Sequence, residues 1–310
     1  MKHCVVTGGA GFIGSNIVGA LLRDGVCVTV LDNLSSGYES NLLPFPDVRF
    51  VRGDVRDPET VGNALESADV VFHLAASVGN KRSIDDPVTD AEINVLGTIR
   101  VLEAARKYGV EKVVVSSSAG IFGELKTLPI REDHQVEPDS PYGCTKLCQE
   151  KLCLAYAKLY GIDAVALRYF NVYGPNQRFD AYGNVIPIFA FQMLRGEPIT
   201  IFGDGEQTRD FIHVDDIVQA NIRAARTSSV TGAYNIASAS RITINELVRL
   251  LELSSGITPM VSHGPERPGD VRHSLADISK AQAAFGFSPT IGLEEGLRDY
   301  MRWARQEAAR

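Results

Sequence analysis

The sequence lacks the features that mark membrane proteins and nucleic-acid-binding proteins. No apolar run approaches the ~18 residues that a membrane-spanning helix needs. Positive charge is not in excess, because the formal net charge is -7, and this disfavours nucleic acid or an anionic membrane as the main partner. An anionic substrate would therefore require a local basic site. The first residues enter a strand pattern at once, so we predict no signal peptide and a cytoplasmic location.

Cysteine is scarce and unevenly placed. The chain has five cysteines, an odd number, and they lie in apolar or helical contexts. We predict reduced, mostly buried thiols, as in a cytoplasmic protein. Cys144 and Cys148 share a helix face, but no nearby histidine completes a set of metal ligands, so we predict no metal site. The five positions are Cys4, Cys27, Cys144, Cys148 and Cys153.

Strand patterns alternate with helix patterns through the first half of the chain. This alternation predicts a Rossmann-like α/β fold with a doubly wound parallel sheet, whose ligands bind at the carboxyl ends of the strands. The predicted strands are residues 3–7, 26–31, 48–51, 70–74, 112–115 and 163–168. The predicted helices are residues 15–23, a helix starting near Pro58, and residues 90–108 and 146–160.

A glycine-rich turn joins the first predicted strand to the first predicted helix. Gly8, Gly11 and Gly14 fit the spacing Gly-x-x-Gly-x-x-Gly, and Gly9, Gly11 and Gly14 fit Gly-x-Gly-x-x-Gly. Glycine lets the chain turn tightly and lets the backbone approach a pyrophosphate, while the helix N-terminus supplies N–H donors and positive dipole. With a strand before it and a helix after it, the turn predicts a dinucleotide site.

A carboxylate follows the second predicted strand. Asp32 lies some twenty residues beyond the glycines, where it suits the adenosine ribose hydroxyls and would repel a 2′-phosphate. No arginine follows at once, so the pattern favours NAD over NADP. A turn or helix-cap role for Asp32 is the alternative. Asp54, after the third strand, is expected to accept a hydrogen bond from adenine or to cap the next helix. His73 is predicted to be structural.

Tyr142 and Lys146 lie four residues apart, so a helix places them on one face. An unperturbed tyrosine has a pKa of ~10, and lowering it to ~7 requires roughly 4 kcal/mol of differential stabilisation of the phenolate. A nearby ammonium and a positively charged nicotinamide ring can supply this. The spacing alone is a weak signal, since a solvated lysine beside a packed tyrosine gives the same pattern.

With Ser118, Tyr142 and Lys146 in line, the chain resembles the extended short-chain dehydrogenase/reductase family. It is most similar to the NAD-dependent nucleotide-sugar 4-epimerases that act on UDP-glucose and UDP-N-acetylglucosamine. The resemblance implies that Tyr142 is the base, that Ser118 hydrogen-bonds the sugar 4-hydroxyl and that Lys146 binds the nicotinamide ribose. The glycine turn and the resemblance together give these expected NAD contacts: Gly8, Gly11, Phe12, Ile13, Gly14, Asp32, Asn33, Ser36, Gly37, Asp54, Val55, Leu74, Ala75, Ala76, Asn94, Ser116, Tyr142, Lys146, Tyr169 and Phe170.

The resemblance also implies a smaller C-terminal α/β substrate domain, with residues 1–177 forming mainly the NAD-binding domain and 178–310 mainly the substrate domain. Residues 278–310 are expected to form two helices packed on the substrate domain. Arg209 and Arg267 would supply the local basic site for a pyrophosphate, although a surface ion pair is the usual role of a lone arginine. The expected UDP-sugar contacts are Ser118, Tyr142, Asn171, Asn184, Val185, Ile201, Phe202, Arg209, Arg267, Asp270 and Ser274.

The small side chain of Ser274 leaves room for an N-acetyl group at the sugar 2-position. The function implied is 4-epimerisation of UDP-N-acetylglucosamine/UDP-N-acetylgalactosamine, and also of UDP-glucose/UDP-galactose, through a 4-keto intermediate. One departure from the family pattern is Phe122, where a tyrosine is usual, and it puts one local contact in doubt. A homodimer through helices 91–107 and 146–160 is also implied.

Three other functions remain open at this point. A UDP-glucuronate 4-epimerase is hard to exclude, because a backbone group or a single side chain can recognise the carboxylate. A nucleotide-sugar 4,6-dehydratase is disfavoured, because Ala119 and Gly120 follow the catalytic serine and no acid assists elimination. A non-catalytic NAD-binding regulator need not keep Ser118, Tyr142 and Lys146 together.

Overall fold

The computed structural model describes residues 1–180, 183–266 and 271–309. Its strands are β1 (His3–Thr7), β2 (Cys27–Asp32), β3 (Arg49–Arg52), β4 (Val70–His73), β5 (Lys112–Ser118), β6 (Asp163–Tyr169), β7 (Val172–Tyr173), β8 (Ile199–Phe202), β9 (Thr208–Arg209), β10 (Ile212–His213), β11 (Gly232–Ile236), β12 (Ile242–Thr243) and β13 (Val261–Gly264). Its α-helices are α1 (Phe12–Arg23), α2 (Pro58–Leu65), α3 (Asn80–Asp85), α4 (Pro87–Ala91), α5 (Thr98–Tyr108), α6 (Pro141–Tyr160), α7 (Val185–Arg195), α8 (Val214–Arg226), α9 (Ile244–Ser255), α10 (Ser279–Phe285) and α11 (Leu293–Ala308).

Seven strands form one parallel sheet in the order β11-β6-β5-β4-β1-β2-β3. The chain runs outward from β1 to β3 and then crosses back to β4, which pairs with β1 on its other side. Such a reversal opens a crevice at the carboxyl ends of the two strands that flank it. The predicted doubly wound α/β fold is therefore confirmed, and its ligand crevice lies beside β1 and β4.

Helices cover both faces of this sheet, because its strands are apolar on both sides. On one face, α1 and α8 pack against each other and contribute Ile17, Leu21 and Ile217 to a buried core. On the other face, α2, α5 and α6 pack together, with Leu102 and Cys153 in the core. The sheet is thus the middle of three layers, and its strand ends are rigidly held.

A third buried core lies under the later elements. Helices α7, α9 and α11 surround it, with Phe189, Leu251 and Tyr300 among its buried side chains. Short strand pairs border it: β8 with β13, and β9 with β12. The predicted boundary between residues 177 and 178 stays a prediction.

The last two predicted helices are present, but only α11 packs as expected. Helix α10 lies against β11, and its Ala281 and Phe285 belong to the core of the central sheet rather than to that of the later elements. The reason is that β11 itself returns to the sheet beside β6. The sequence analysis missed β11, whose buried Asn235 interrupts an apolar pattern.

The predicted helix 90–108 begins earlier than expected and changes its winding. It starts at Pro87, and residues Glu92–Gly97 form a π-helical segment between α4 and α5. Asn94 lies in that segment. Single π-helical turns inside longer helices often occur at functional sites, and this one faces the ends of β4 and α6.

The cysteines are unpaired, and the prediction that they are mostly buried is wrong. Cys4 and Cys153 are buried, Cys148 is half-buried, and Cys27 and Cys144 are exposed. Of the described residues, no group of three or more histidine, cysteine or carboxylate side chains could hold a metal ion. The same residues contain no helix long and apolar enough to cross a membrane.

Candidate active site

The glycine turn brings the end of β1, the start of α1 and the end of β4 into backbone contact. Gly8 has φ +70°, and a Cβ there would lie 2.7 Å from the Ala75 nitrogen. A Cβ on Gly14 would lie 2.2 Å from the Gly8 carbonyl oxygen. Only glycine fits either position. The turn leaves a shallow backbone cradle at the helix N-terminus, as a pyrophosphate requires.

No described side chain caps the N-terminus of α1, and its first turn carries no acidic residue. The first N–H groups of a helix have no partner within the helix. They are therefore donors for an anion, aided by the helix dipole. This observation, together with the cradle formed at Gly8 and Gly14, fits the diphosphate of a dinucleotide.

Asp32 ends β2 beside this turn. Its Oδ2 accepts a hydrogen bond from the Ala10 N–H at 2.9 Å, and its Oδ1 accepts one from Leu34 N–H at 2.8 Å. Burial raises the pKa of this carboxyl, while the two backbone donors lower it. Asp32 thus closes a turn, and it also faces the glycine loop. The two roles predicted for Asp32, ribose binding and turn closure, are compatible, because the remaining lone pairs of the carboxylate can still accept hydrogen bonds from a ribose.

Asp54 does not cap α2; Asp57 does, by accepting from Glu59 and Thr60 N–H groups. Asp54 instead accepts hydrogen bonds from the Arg56 side chain and from Asn33 Nδ2 at 2.8 Å. The Arg56 guanidinium lowers the pKa of Asp54 to about 2. Asp54 is therefore tied to Asn33, another expected cofactor contact at the adenosine end of the crevice.

Asn94 holds the loop after β4 against α6. Its Oδ1 accepts from Ser77 N–H at 2.8 Å, and its Nδ2 donates to Ser77 O at 3.0 Å and to Thr145 Oγ1 at 3.1 Å. All of its side-chain hydrogen-bonding groups are therefore used within the chain. The structure gives Asn94 the task of fixing the loop 74–77 over the end of β4.

Ser118 and Tyr142 converge above Gly120. Ser118 is the last residue of β5, and its Oγ accepts from Gly120 N–H at 3.1 Å. Tyr142 stands in the first turn of α6, where its N–H donates to Ser83 Oγ at 3.0 Å. A Cβ on Gly120 would lie 3.4 Å from Ser118 Oγ and 3.6 Å from Tyr142 Cε1. Gly120 therefore keeps open the space in which the two side chains meet.

The protein's own groups raise the pKa of the Tyr142 phenol. Burial is the largest cause, and the negative charge of Asp90 adds to it, whereas a hydrogen bond with Ser118 acts in the opposite direction. A tyrosine that acts as a general base near neutral pH needs a lower pKa. The positive charge that would lower it has to come from a bound cofactor together with a charged Lys146.

Lys146 is buried beneath the site, with 2% of its surface exposed. Its Nζ donates to Gln149 Oε1 at 2.7 Å and to Ser116 Oγ at 3.3 Å. Burial lowers its pKa to about 7, although the charge of Asp90 partly offsets this. Asp90 is also fully buried, and Thr145 Oγ1 donates to its Oδ2 at 2.5 Å. Asp90 and Gln149 were not predicted from the sequence. The one available signal was that Gln149 follows Lys146 by three residues on the same helix, and Asp90 on α4 had no such signal.

Two of the expected cofactor residues, Tyr169 and Phe170, belong to the buried core. Tyr169 is buried, and its hydroxyl bonds to the Asn221 side chain at 3.0 Å. The Phe170 ring is buried, with its centroid 6.3 Å from that of Phe122. Phe122 also lies under the Arg168 guanidinium at 5.2 Å. The phenylalanine that departs from the family pattern is thus a packing residue here.

The expected substrate contacts in the second half of the chain lie on or beside β8, β9 and the start of α7. Ser274 lies beside β9, which carries Arg209, because Ser274 N–H donates to Thr208 O at 3.1 Å. Ile201 and Phe202 end β8, Asn184 and Val185 begin α7, and Asn171 Nδ2 donates to Asp210 O at 2.9 Å. Arg267 and Asp270 lie outside the described residues.

Comparison with known proteins places the chain in a family. The model of the NAD dependent epimerase/dehydratase family matches residues 4–237. The UDP-glucose 4-epimerase of Mycolicibacterium smegmatis is 38% identical over 309 residues, which cover 98% of this chain and 99% of that protein.

Two solved structures are also similar over almost the whole chain. A UDP-glucose 4-epimerase from Thermotoga maritima, solved with UDP-glucose, has a TM-score of 0.94 and 39% identity, covering 99% of both chains. A UDP-N-acetylglucosamine 4-epimerase from Methanobrevibacter ruminantium, in complex with UDP-N-acetylmuramic acid, gives the same TM-score, identity and coverage. Together with the glycine cradle and the site at the end of β5, these matches show that the chain belongs to the NAD-dependent epimerase/dehydratase family, and NAD is its cofactor.

Proposed function

We propose that the protein inverts C4 of a UDP-hexose by NAD-dependent oxidation and re-reduction. The observation that carries this is the convergence of Ser118 Oγ and the Tyr142 ring over Gly120, at the end of β5 and beside the dinucleotide crevice. A hydroxyl and a phenol that meet there can hold one sugar hydroxyl between them. The similarity to UDP-glucose and UDP-N-acetylglucosamine 4-epimerases supports the same reaction.

The chain's residues divide the work of the reaction. When bound, NAD accepts and returns the hydride at C4. Tyr142 takes the proton of the 4-hydroxyl as general base, Ser118 orients that hydroxyl, and Lys146 holds the nicotinamide ribose and keeps positive charge near the phenol. The 4-keto sugar would turn over in the pocket while the UDP group stays anchored. Tyr142 would then give the proton back to the 4-oxygen as hydride returns to the other face, which inverts C4.

The UDP group is proposed to bind the edge formed by β8, β9 and the start of α7. An acidic chain needs a local cation to bind a diphosphate. Arg209 is the candidate within the described residues, and Arg267, outside them, is the second candidate. We expect Asn171, Asn184 and Val185 to contact the diphosphate and sugar, and Ile201 and Phe202 to contact the uracil. Asp270, outside the described residues, is the candidate for the ribose.

We propose that N-acetylhexosamines are accepted as well as hexoses. Ser274 is a small, buried residue whose backbone N–H donates to Thr208 O, and in related enzymes this position borders the sugar 2-substituent. A bulky residue there would exclude an N-acetyl group, whereas serine leaves space for it.

The test is to incubate the protein separately with UDP-N-acetylglucosamine, UDP-glucose and UDP-glucuronate and to follow C4 inversion by proton NMR. We expect inversion of UDP-N-acetylglucosamine and UDP-glucose. In Tyr142→Phe the rate of inversion should fall by roughly 10²- to 10⁴-fold. Tyr156→Phe is the matched control, because it removes a hydroxyl from the same helix where that hydroxyl bonds to Glu103 instead.

Other outcomes would revise the proposal in defined ways. Turnover of UDP-glucose without UDP-N-acetylglucosamine would refute the role of Ser274. Turnover of UDP-glucuronate alone would keep the chemistry and change the substrate. Release of a 4-keto product would indicate a dehydratase, and NAD binding with no reaction of any sugar would indicate a regulator.

A further inference from the structure

A continuous series of hydrogen bonds joins the loop after β4 to the proposed catalytic lysine. In that loop, Ala75 N–H donates to Thr7 Oγ1 at 3.2 Å, and Thr7 Oγ1 lies 2.7 Å from His73 Nδ1. His73 Nε2 lies 2.9 Å from Thr98 Oγ1. Gln149 Nε2 donates to the same oxygen at 2.9 Å. The Gln149 amide oxygen accepts from Lys146, and the links from Thr7 to Lys146 are buried.

The Thr98 hydroxyl determines the direction of each hydrogen bond in this series. Thr98 has a single hydroxyl hydrogen, and it lies 2.7 Å from the Asn94 carbonyl oxygen, which can only accept. Thr98 Oγ1 must therefore accept from His73 Nε2–H. The other ring nitrogen, Nδ1, is then the acceptor of a neutral imidazole, and Thr7 donates to it. Burial lowers the pKa of His73 to about 3, which agrees with a neutral ring.

The Thr98 hydroxyl also determines the orientation of the Gln149 amide. Its nitrogen faces Thr98 Oγ1, whose hydrogen is already used, and its oxygen faces the Lys146 Nζ at 2.7 Å. The flipped amide would set an acceptor against Thr98 with no hydrogen left and set two N–H donors against a lysine ammonium. Both contacts would be lost. The Gln149 amide therefore presents its oxygen, and not its nitrogen, to Lys146.

We propose that Gln149 is a positioning residue for Lys146, which holds the lysine amine at the ribose end of the site with an acceptor that the His73–Thr98 chain keeps oriented. The proposal rests on the proposed role of Lys146 in epimerisation. Gln149 is fully buried, and its amide bonds to Lys146 and Thr98, so we expect its effect on the reaction to act through Lys146.

The charged and titratable groups that face Lys146 come from three elements. Asp90 approaches from α4, His73 from β4, and Tyr142 and Cys153 lie on its own helix. Asp90 is the sole full negative charge among them, and its Oδ2 already accepts from Thr145. The nearest oxygens on Lys146 Nζ are those of Gln149 and Ser116. Removal of the Gln149 oxygen thus deprives the ammonium of its shorter hydrogen bond.

The first test titrates Lys146 in the NAD-bound protein by NMR of its Cε carbon, with Lys146→Arg to assign the signal. Gln149→Met removes the acceptor and is expected to lower the pKa of Lys146. Gln149→Glu keeps the shape, adds a charge and is expected to raise it. A hydrogen bond to a charged group corresponds to a change of about 10- to 100-fold in the proton dissociation constant. A general loosening of the fold would move both variants in the same direction.

The second test measures kcat and KM for the sugar nucleotide. Gln149→Met is expected to lower kcat by about 10-fold, the size of one such hydrogen bond, and to leave KM unchanged. In a Lys146→Met background, Gln149→Met is expected to cause no further loss, because the residue on which it acts is gone. If the two losses add instead, Gln149 does not act through Lys146 and the proposal fails.

The two tests separate this proposal from the proposed function. The titration needs no turnover, so it reports on Gln149 even if none of the sugars reacts. An unchanged titration in both variants would overturn the positioning role while leaving the epimerase proposal intact. If Gln149→Met does not fold, Gln149→Glu still decides the matter, since its volume matches that of glutamine.

Discussion

At the scale of single residues, His73 shows how a buried polar group is accommodated. It is fully buried between Thr7 and Thr98, and each ring nitrogen has one hydroxyl partner. A charged imidazole would lose its hydrogen bond from Thr7, because Nδ1 would then carry a hydrogen. Burial and the nearby Lys146 both lower its pKa. The expectation that His73 is structural agrees with this placement.

His73 should make the protein less stable in mild acid. Its pKa is about 3 in the folded chain and 6.5 for an ordinary, solvent-exposed histidine, so below pH 6.5 the unfolded chain binds a proton that the folded chain does not. The free energy of unfolding should therefore fall as the pH drops from about 6.5 towards about 3, with a slope that approaches ~1.4 kcal/mol per pH unit. Urea unfolding at a series of pH values measures this slope.

The control for that measurement is His73→Gln, whose amide can accept from Thr7 and donate to Thr98 without titrating. The variant should show a flatter pH dependence between pH 4.5 and 6.5, above the range where carboxylates dominate. Equal slopes in the two proteins would mean that His73 becomes protonated without unfolding the chain.

Residue-scale prediction from the sequence depended on both spacing and family resemblance. Tyr142 and Lys146 were predicted from their i, i+4 spacing and Ser118 from the resemblance, and the structure brings Ser118 and Tyr142 together. Gln149 could not be found in this way, because glutamine on a helix is ordinary. Its role depends on Thr98 and Lys146 lying on opposite sides of its amide, which is a property of packing between α5 and α6.

At the scale of elements, a buried ion pair fastens α6 to β6. Glu150 accepts two hydrogen bonds from the Arg168 guanidinium, at 3.0 and 2.7 Å, and a third from Ser117 Oγ at 2.9 Å. Arg168 also donates to the Glu132 carbonyl oxygen at 3.0 Å. The pair fixes the helix that carries Tyr142 and Lys146 against the strand beside β5.

Glu150→Gln should destabilise the fold by about 3–5 kcal/mol, because it leaves a buried guanidinium without its counter-charge. Thermal or urea unfolding measures the loss. The matched control is Glu294→Gln, which breaks an exposed i, i+4 pair with Arg298 on α11 and should cost only about 0.3–0.5 kcal/mol. A loss below 1 kcal/mol at Glu150 would indicate that Arg168 finds another partner.

Gly14→Ala should expel the cofactor. The added methyl group would overlap the Gly8 carbonyl oxygen at 2.2 Å, so α1 would have to move away from the turn that follows β1. NAD retained through gel filtration and measured by its absorbance should drop to a small fraction of that in the parent protein. Gly292→Ala is the control, because nothing lies within 4 Å of a Cβ there. Full retention of NAD in Gly14→Ala would show that the helix can shift without cost.

The elements of the central sheet were predictable to the extent that they repeat one pattern. Six strands and the helices between them follow from alternating apolar runs and glycine turns. The seventh strand, β11, does not: Asn235 is tolerated inside the protein only because its amide donates to the Ile130 and Asp277 carbonyl oxygens. Those partners come from distant parts of the chain, so no local pattern reveals them.

At the scale of the whole molecule, the large apolar side chains that the fold leaves exposed include two leucines. Leu96 is 54% exposed at the end of the π-helical segment, and Leu159 is 70% exposed near the end of α6. Both lie on the helices for which a dimer contact was predicted. The homodimer remains a prediction, with these two side chains as its central contacts.

Light scattering after gel filtration should therefore give twice the chain mass of 33.7 kDa. Leu159→Glu should shift the protein towards the monomer, since an isologous contact would bring two carboxylates into one apolar interface. Leu253→Glu, on the exposed face of α9, is the control and should leave the mass unchanged. A monomer in the parent protein would refute the predicted dimer.

The return of β11 to the sheet has a consequence for synthesis on the ribosome. Strand β6 is complete long before β11 leaves the exit tunnel, because residues 170–231 must be made first. At ordinary elongation rates this delay lasts on the order of seconds. During that interval β6 is an open sheet edge with unpaired N–H and carbonyl groups, and such edges invite pairing with other chains. The nascent protein thus has a vulnerable period that ends when Gly232–Ile236 docks, and a chaperone that shields β6 would act within it.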